Sequence, residues 1–215
     1  MLHWSTLGEE RTAILKMLVD QMPISGSYLA GGTALALMLG HRQSVDLDWF
    51  CTYQFDPEQL ARQLSSLAEF ETSDAAKGTL HGIFNGLRIT WLYYPNPMLD
   101  TFTTTSEMPG LKLASLRDIA VMKLAPLSHR GSAKDFIDLY ILAKHNIALR
   151  QIIEDMPAKF PGKKINNYHI IKSLSYFDDA ECEPLPKMFI DFDWQSLKKY
   201  FLEEQLKLME SLNDQ

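Results

Sequence analysis

The chain has 215 residues, 46% of them hydrophobic and 22% charged, with a formal net charge of −6 and a pI near 5.5. That length suits one large or two small globular domains with a core that needs no covalent staples. The acidic balance argues against a surface coated for bulk nucleic-acid binding. Two distant cysteines, Cys51 and Cys182, fit neither a disulfide framework nor a zinc knuckle, so a reducing cytoplasm is expected.

In chain order, residues 8–22 show apolar positions near helical spacing. Residues 27–30 read as a short strand that enters a Gly-Gly turn, and 33–40 as a buried helix, apolar on all sides. The segment "SVDLDWF" alternates, with Val45, Leu47 and Trp49 on one face and Asp46 and Asp48 on the other, which is a strand pattern. Asp56, Pro57 and Gln59 form a helix start: an N-cap, a proline at the first helical position and a glutamine at the third. "TLHGIFNGLRITWLYYP" predicts a hairpin that turns at Asn85-Gly86. A looser, proline-containing stretch follows.

From Ser115 the chain turns helical. Ser115-x-x-Asp118 and Ser132-x-x-Asp135 are both capping signals, and further helices are expected over 148–160, 166–176 and 194–212. The expected organisation is α+β, with a mixed α/β portion over 1–113 and a helical portion over 114–215. The most apolar run, residues 28–40, is too short to cross a bilayer, and the first residues lack the apolar core of a secretory leader. Charge is uneven. Between Lys112 and Lys134 five Lys or Arg face one acid, whereas six acids face one lysine between Asp178 and Asp193. A local basic surface in an acidic protein suits a compact anionic ligand.

Asp46 and Asp48, two apart on a strand, leave the same face about 6–7 Å apart. Carboxylates that close repel unless a cation lies between them. Mg²⁺ meets the requirement, because one or two carboxylates plus substrate phosphates hold it. Alternate aspartates can also be no more than a strand's wet face, but Asp is disfavoured in strands. Upstream, Gly31, Gly32 and Thr33 stand where strand passes into helix. There the backbone can approach a ligand closely and the N–H groups of the first turn attract phosphate. The pattern is not a P-loop, since no Gly-Lys-Ser/Thr follows. A polar loop with His41 and Arg42 joins the two parts. None of the six histidines, His81 included, has metal-ligand spacing.

The order of strand, Gly31-Gly32, a thirteen-residue spacer and Asp46-Leu47-Asp48-Trp49 resembles the signature of polymerase-beta-like nucleotidyltransferases. With Asp118, Lys123, Arg130, Lys134, Asp135 and Asp138 it resembles the AbiEii/AbiGii-type nucleotidyltransferase toxins of type IV toxin–antitoxin systems, over roughly residues 26–142. The resemblance implies a polymerase-beta-like domain with a small mixed sheet, followed by a helical portion that completes the active site. It implies Mg²⁺ or Mn²⁺ at Asp46 and Asp48, and a nucleoside triphosphate held by Gly31, Gly32, Thr33, Arg42 and Arg130. The acceptor implied is an RNA 3′ end, tRNA first, and the role that of a toxin with an antitoxin partner or of phage defence.

Lys123 and Arg130, two helical turns apart, share a face and suit triphosphate charge. Asp118 and Asp135 occupy capping positions. Asp138 has no capping explanation, and with Lys123 it joins Asp46 and Asp48 as an expected catalytic residue, as metal ligand or as the partner that orients Lys123. Many members of the wider fold carry a third acid on a later strand, and here the corresponding residue is Thr90. Two alternatives stand beside RNA transfer: protein nucleotidylation, and a binding module with weak or lost turnover.

Overall fold

The structure, a computed structural model, describes residues 1–127 and 131–213. The chain divides into two compact units, Met1–Asn96 with Thr101–Ser115, and Pro97–Asp100 with Leu116–Gln215.

The first unit holds helices α1 (Glu9–Asp20), α2 (Gly31–Leu39) and α3 (Pro57–Leu67) and strands β1 (Tyr28–Leu29), β2 (Asp46–Cys51), β3 (Phe70–Ala76), β4 (Thr79–Phe84), β5 (Leu87–Tyr93), β6 (Thr103–Thr104) and β7 (Lys112–Leu113). The strands form one mixed sheet in the order β3-β4-β5-β2-β1-β7-β6. β2 runs parallel to β5 and antiparallel to β1, and β4 is antiparallel to both β3 and β5. One face is the core: Leu47 and Trp49 of β2, Ile89 and Trp91 of β5, and Leu80 and Phe84 of β4 are all buried. Trp49 and Trp91, opposite each other in register, stack with centroids 5.4 Å apart. The other face carries the polar residues Asp46, Asp48, Arg88, Thr90 and His81.

Local chemistry explains most of these elements. Asp56 caps α3 by accepting from the N–H groups of Glu58 and Gln59. Asn85 and Gly86 both have positive φ, 47° and 77°, as a two-residue hairpin turn of type I′ requires. Two differences from expectation have physical causes. Val45 is 41% exposed and precedes the strand, which begins at Asp46. β3 was not expected, because Glu-Thr-Ser-Asp has little strand propensity. Its ladder with β4 makes it an edge strand, and its side chains are mostly exposed.

The second unit is helical: α4 (Leu116–Leu127), α5 (Ala133–Lys144), α6 (Leu149–Lys159), α7 (Asn167–Ser173), α8 (Asp178–Glu181) and α9 (Trp194–Asn213). Phe136 of α5 packs against Phe177 and Phe201 with centroids 4.9 and 5.1 Å away. Asp118 and Lys159 form a fully buried ion pair at 2.6 Å. Around it the Asp118 carboxylate accepts from the N–H groups of Leu99 and Asp100, while Lys159 Nζ donates to Pro97 O. That pair is why four residues of the looser stretch belong to the helical unit. The acidic stretch is partly used internally. Glu181 accepts from Lys198 and the Trp194 indole, and Asp193 accepts from the Ser196 N–H. Among the described residues, no helix is long and apolar enough to cross a membrane.

Candidate active site

In the first unit, β1 lies antiparallel beside β2 and leads directly into α2. The Ala30 N–H donates to Asp48 O at 3.1 Å, and Gly31 follows with φ +66°. L side chains rarely adopt that conformation. A Cβ at Gly31 would also stand 3.1 Å from Asp48 Oδ2, so glycine is what lets the first turn of α2 lie against this carboxylate. Gly32 does the same for a cation, because a Cβ there would collide with Arg42 Nη2. Arg42 is 2% exposed, and its Nη1 donates to Gln43 O at 3.1 Å. His41 beside it is also buried, so this segment is packed rather than a solvated loop. Thr33 donates its hydroxyl to Asp46 O and lies 2.6 Å from Ser44 Oγ, and its side chain is buried. The hydroxyl thus ties helix to strand, and what Thr33 can offer a ligand is its backbone N–H.

On β2 the carboxylates of Asp46 and Asp48 share the polar face and are half-buried. The parallel register sets Arg88 opposite Asp46 and Thr90 opposite Asp48. Arg88 is a group that sequence reading missed. Its Nε lies 4.0 Å from Asp46 Oδ1, and its side chain is 75% exposed. His81 was missed as well, and its Nδ1 lies 3.1 Å from Thr90 Oγ1. Both appear in the expected hairpin, but only the β2–β5 pairing sets Arg88 beside Asp46, and only the β4–β5 pairing sets His81 beside Thr90.

Among the described residues, no three His, Cys, Asp or Glu side chains form a ready metal cage. Mg²⁺ does not need one, since it keeps waters and takes substrate phosphate oxygens beside one or two carboxylates. Two half-buried aspartates on one strand face fit that donor set.

In the second unit, Lys123 of α4 is held by two carboxylates of α5: Asp135 Oδ1 at 2.8 Å and Asp138 Oδ2 at 2.9 Å. Asp138 is fully buried and Lys123 is 13% exposed. Asp135 has a second task at the start of α5. The Ser132 hydroxyl donates to Asp135 Oδ2, and the Asp135 N–H donates to Ser132 Oγ. Arg130 lies outside the described residues.

Comparison with known proteins identifies a family and a fold. Residues 22–82 and 87–213 match the family model described as nucleotidyl transferase AbiEii toxin, type IV TA system. An uncharacterized protein of Aquifex aeolicus is 30% identical over 210 residues, covering 95% of this chain and 98% of that one. Among solved structures, a candidate nucleotidyltransferase from H. pylori superposes with a TM-score of 0.59 at 17% identity, over 97% of this chain and 98% of that one. The nucleotidyltransferase toxin MenT4 of Mycobacterium tuberculosis gives 0.55 at 14% identity, over 92% and 82%. The antibiotic-resistance factor ANT(2'')-Ia gives 0.51 at 15% identity, over 69% and 90%. At such identities the structural likeness speaks for the fold, which is the polymerase-beta-like nucleotidyltransferase fold.

Proposed function

The chain belongs to the AbiEii nucleotidyltransferase toxin family, and from that membership we propose that it moves a nucleoside monophosphate from a nucleoside triphosphate to a hydroxyl at an RNA 3′ end, tRNA being the first acceptor to test. The observation that carries the reading is the junction at Gly31-Gly32, where two missing side chains bring a helix N-terminus against Asp48 and a buried guanidinium at once. Those groups suit the two ends of one ligand. The N–H groups and Arg42 suit the outer phosphates, and the carboxylates suit the metal-bound inner part.

In the reaction, the acceptor oxygen bonds to the α-phosphorus while the bond to the bridging oxygen breaks, and pyrophosphate leaves. Mg²⁺ or Mn²⁺ at Asp46 and Asp48 would supply charge neutralisation and Lewis acidity at the phosphates. Gly31, Gly32 and Thr33 bind through backbone N–H groups, and the buried Arg42 guanidinium beside Gly32 favours the charge left on the pyrophosphate through its field. Arg88, exposed beside Asp46, suits a further phosphate of nucleotide or acceptor. Lys123 and Asp138 take the catalytic roles that the family pattern gives them, with Asp138 and Asp135 fixing the ammonium. Arg130 is assigned to phosphate on the same pattern. The role is that of a toxin held in check by an antitoxin protein, in a cytoplasmic setting.

The test uses full-length protein, Mg²⁺, total cellular RNA and each nucleoside triphosphate labelled at the α-phosphate. Wild type is expected to label RNA, whereas Asp46→Asn and Asp48→Asn are expected to lose at least about 10²-fold, the scale of losing one electrostatic catalytic group. Equal labelling by either variant would remove the metal role of that aspartate. Label in protein instead of RNA would replace the acceptor class.

A further inference from the structure

Residues 160–177, FPGKKINNYHIIKSLSYF, contain no acid, and the nearest acids in the chain are Asp155 and Asp178. The stretch follows α6, holds α7 and leads into α8. Its three lysines, Lys163, Lys164 and Lys172, are exposed, and among the described residues none is paired with a carboxylate. Other cations of the same unit are committed: Lys159 to Asp118, Arg117 to Asp155, Lys123 to Asp135 and Asp138, and Lys198 to Glu181. The uncommitted ammonium groups leave a local positive field on an acidic chain.

Two hollows open on this stretch and share His169 as a wall. One, of about 250 Å³, is lined by Phe160, Lys163, Lys164 and Asn166 beside Ala125 of α4. The other, of about 460 Å³, is lined by Lys172, Ser175 and Tyr176 beside Leu127 of α4, and Asp179 is the carboxylate on its rim. On α9, which packs against α7, Glu203 and Glu204 pair with Lys199 and Lys207. Tyr168 is 60% exposed and Tyr176 52%, and among the described residues neither ring meets another ring or a cation. Tyr168 and Lys172 are one turn apart on α7 and share a face. A single exposed tyrosine or lysine is ordinary surface. Two open rings among three uncommitted lysines match a strand that carries phosphates and flat bases together. An acidic protein segment would use the lysines and leave the rings without a partner.

We propose that this face of the helical unit docks an unpaired segment of the acceptor RNA, with Lys163, Lys164 and Lys172 on its phosphates and Tyr168 and Tyr176 stacked on its bases. The proposal rests on the nucleotidyl-transfer reading above, and it adds a surface that holds the acceptor by its strand. Contacts of this kind read phosphate spacing and ring faces, so they hold many sequences alike. Selection of the acceptor then lies in which RNAs present unpaired nucleotides to the surface. The lysines govern how steeply binding falls with salt, whereas the rings add affinity that salt leaves alone.

The experiment measures binding of an end-labelled single-stranded RNA of about ten nucleotides across a salt series, and label transfer to total cellular RNA. It compares full-length wild type, the triple variant Lys163→Gln/Lys164→Gln/Lys172→Gln and the double variant Tyr168→Ala/Tyr176→Ala. The lysine variant should bind at least about tenfold more weakly at low salt, and its slope of log affinity against log salt should fall by about 2, at roughly 0.7 per phosphate contact. The tyrosine variant should also lose at least about tenfold, with the slope unchanged. Both should raise the KM for RNA and leave the KM for nucleoside triphosphate and the urea melt as in wild type, because all five side chains are exposed. A lysine variant that binds like wild type overturns the surface. A tyrosine variant that binds like wild type overturns the RNA assignment, and displacement of the strand by polyglutamate would then mark a site for an acidic protein. Transfer by the variants with an unchanged KM for RNA overturns the docking role. Binding as expected with no label transferred by wild type overturns the transfer reading instead, and the acceptor role with it.

Discussion

Gly32 shows how much one absent side chain can decide. Its backbone lies under the guanidinium of Arg42, which is 2% exposed and has little room to swing away. Gly32→Ala should displace that guanidinium, raise the KM for nucleoside triphosphate at least about tenfold and cost about 1–3 kcal/mol from overpacking. Steady-state kinetics and urea melts would separate the two effects. Elsewhere, Asp155 is held below its ordinary 3.8 chiefly by hydrogen bonds from Arg117, Nε and Nη2 each at 2.6 Å, with help from Gln151 and against the cost of burial. A depressed folded pKa gives stability that is present above the unfolded value and lost as pH falls through the folded one. Wild type should therefore exceed Asp155→Asn by about 1 kcal/mol near neutral pH, a figure discounted because Arg117 is 41% exposed. The gap should close as the pH drops below about 4, measured by denaturant melts at each pH. Among single residues, Gly31, Gly32, Asp46 and Asp48 stand out in sequence because glycine and aspartate are unusual where they fall. Arg88 and His81 do not, since an arginine or histidine on a strand's polar face is ordinary until a neighbouring strand supplies a carboxylate or a hydroxyl.

Elements with local causes were legible and those with distant causes were not. The Asp56 cap, the Asn85-Gly86 turn and the alternation of β2 each depend on residues within a few positions of one another. β3 depends on β4, and its own residues favour no strand. The Ser115-x-x-Asp118 signal marks the start of α4 correctly, yet the Asp118 carboxylate also meets Lys159, 41 residues away, and the N–H groups of Leu99 and Asp100. That burial sets a measurable cost. Lys159→Met would leave the Asp118 carboxylate buried without its cation and should destabilise the chain by about 3–5 kcal/mol. A urea melt showing a loss below about 1 kcal/mol would mean that the N–H donors alone suffice.

For the molecule as a whole, the net charge is −6, and two cations of the basic stretch, Arg117 and Lys123, are paired with carboxylates of α6 and α5. Binding of Mg²⁺ with a non-hydrolysable nucleoside triphosphate should raise Tm. At a hundredfold excess over Kd the stabilisation is about 2.7 kcal/mol, or roughly 5–10 °C for a chain of this size. Asp46→Asn should reduce the metal-dependent part, and an unchanged shift in that variant would place the metal elsewhere. Composition, alternation, caps and the glycine–aspartate spacing were enough to set the α+β class, the order of the main elements and the family resemblance, because each is written within short stretches of chain. The pairing of β2 with β5, the guanidinium folded onto Gly32, the two carboxylates on Lys123 and the row from Asp48 to His81 emerged only once the chain was folded. They join residues tens of positions apart, and contact between such residues depends on sheet register and helix packing, which no local pattern encodes.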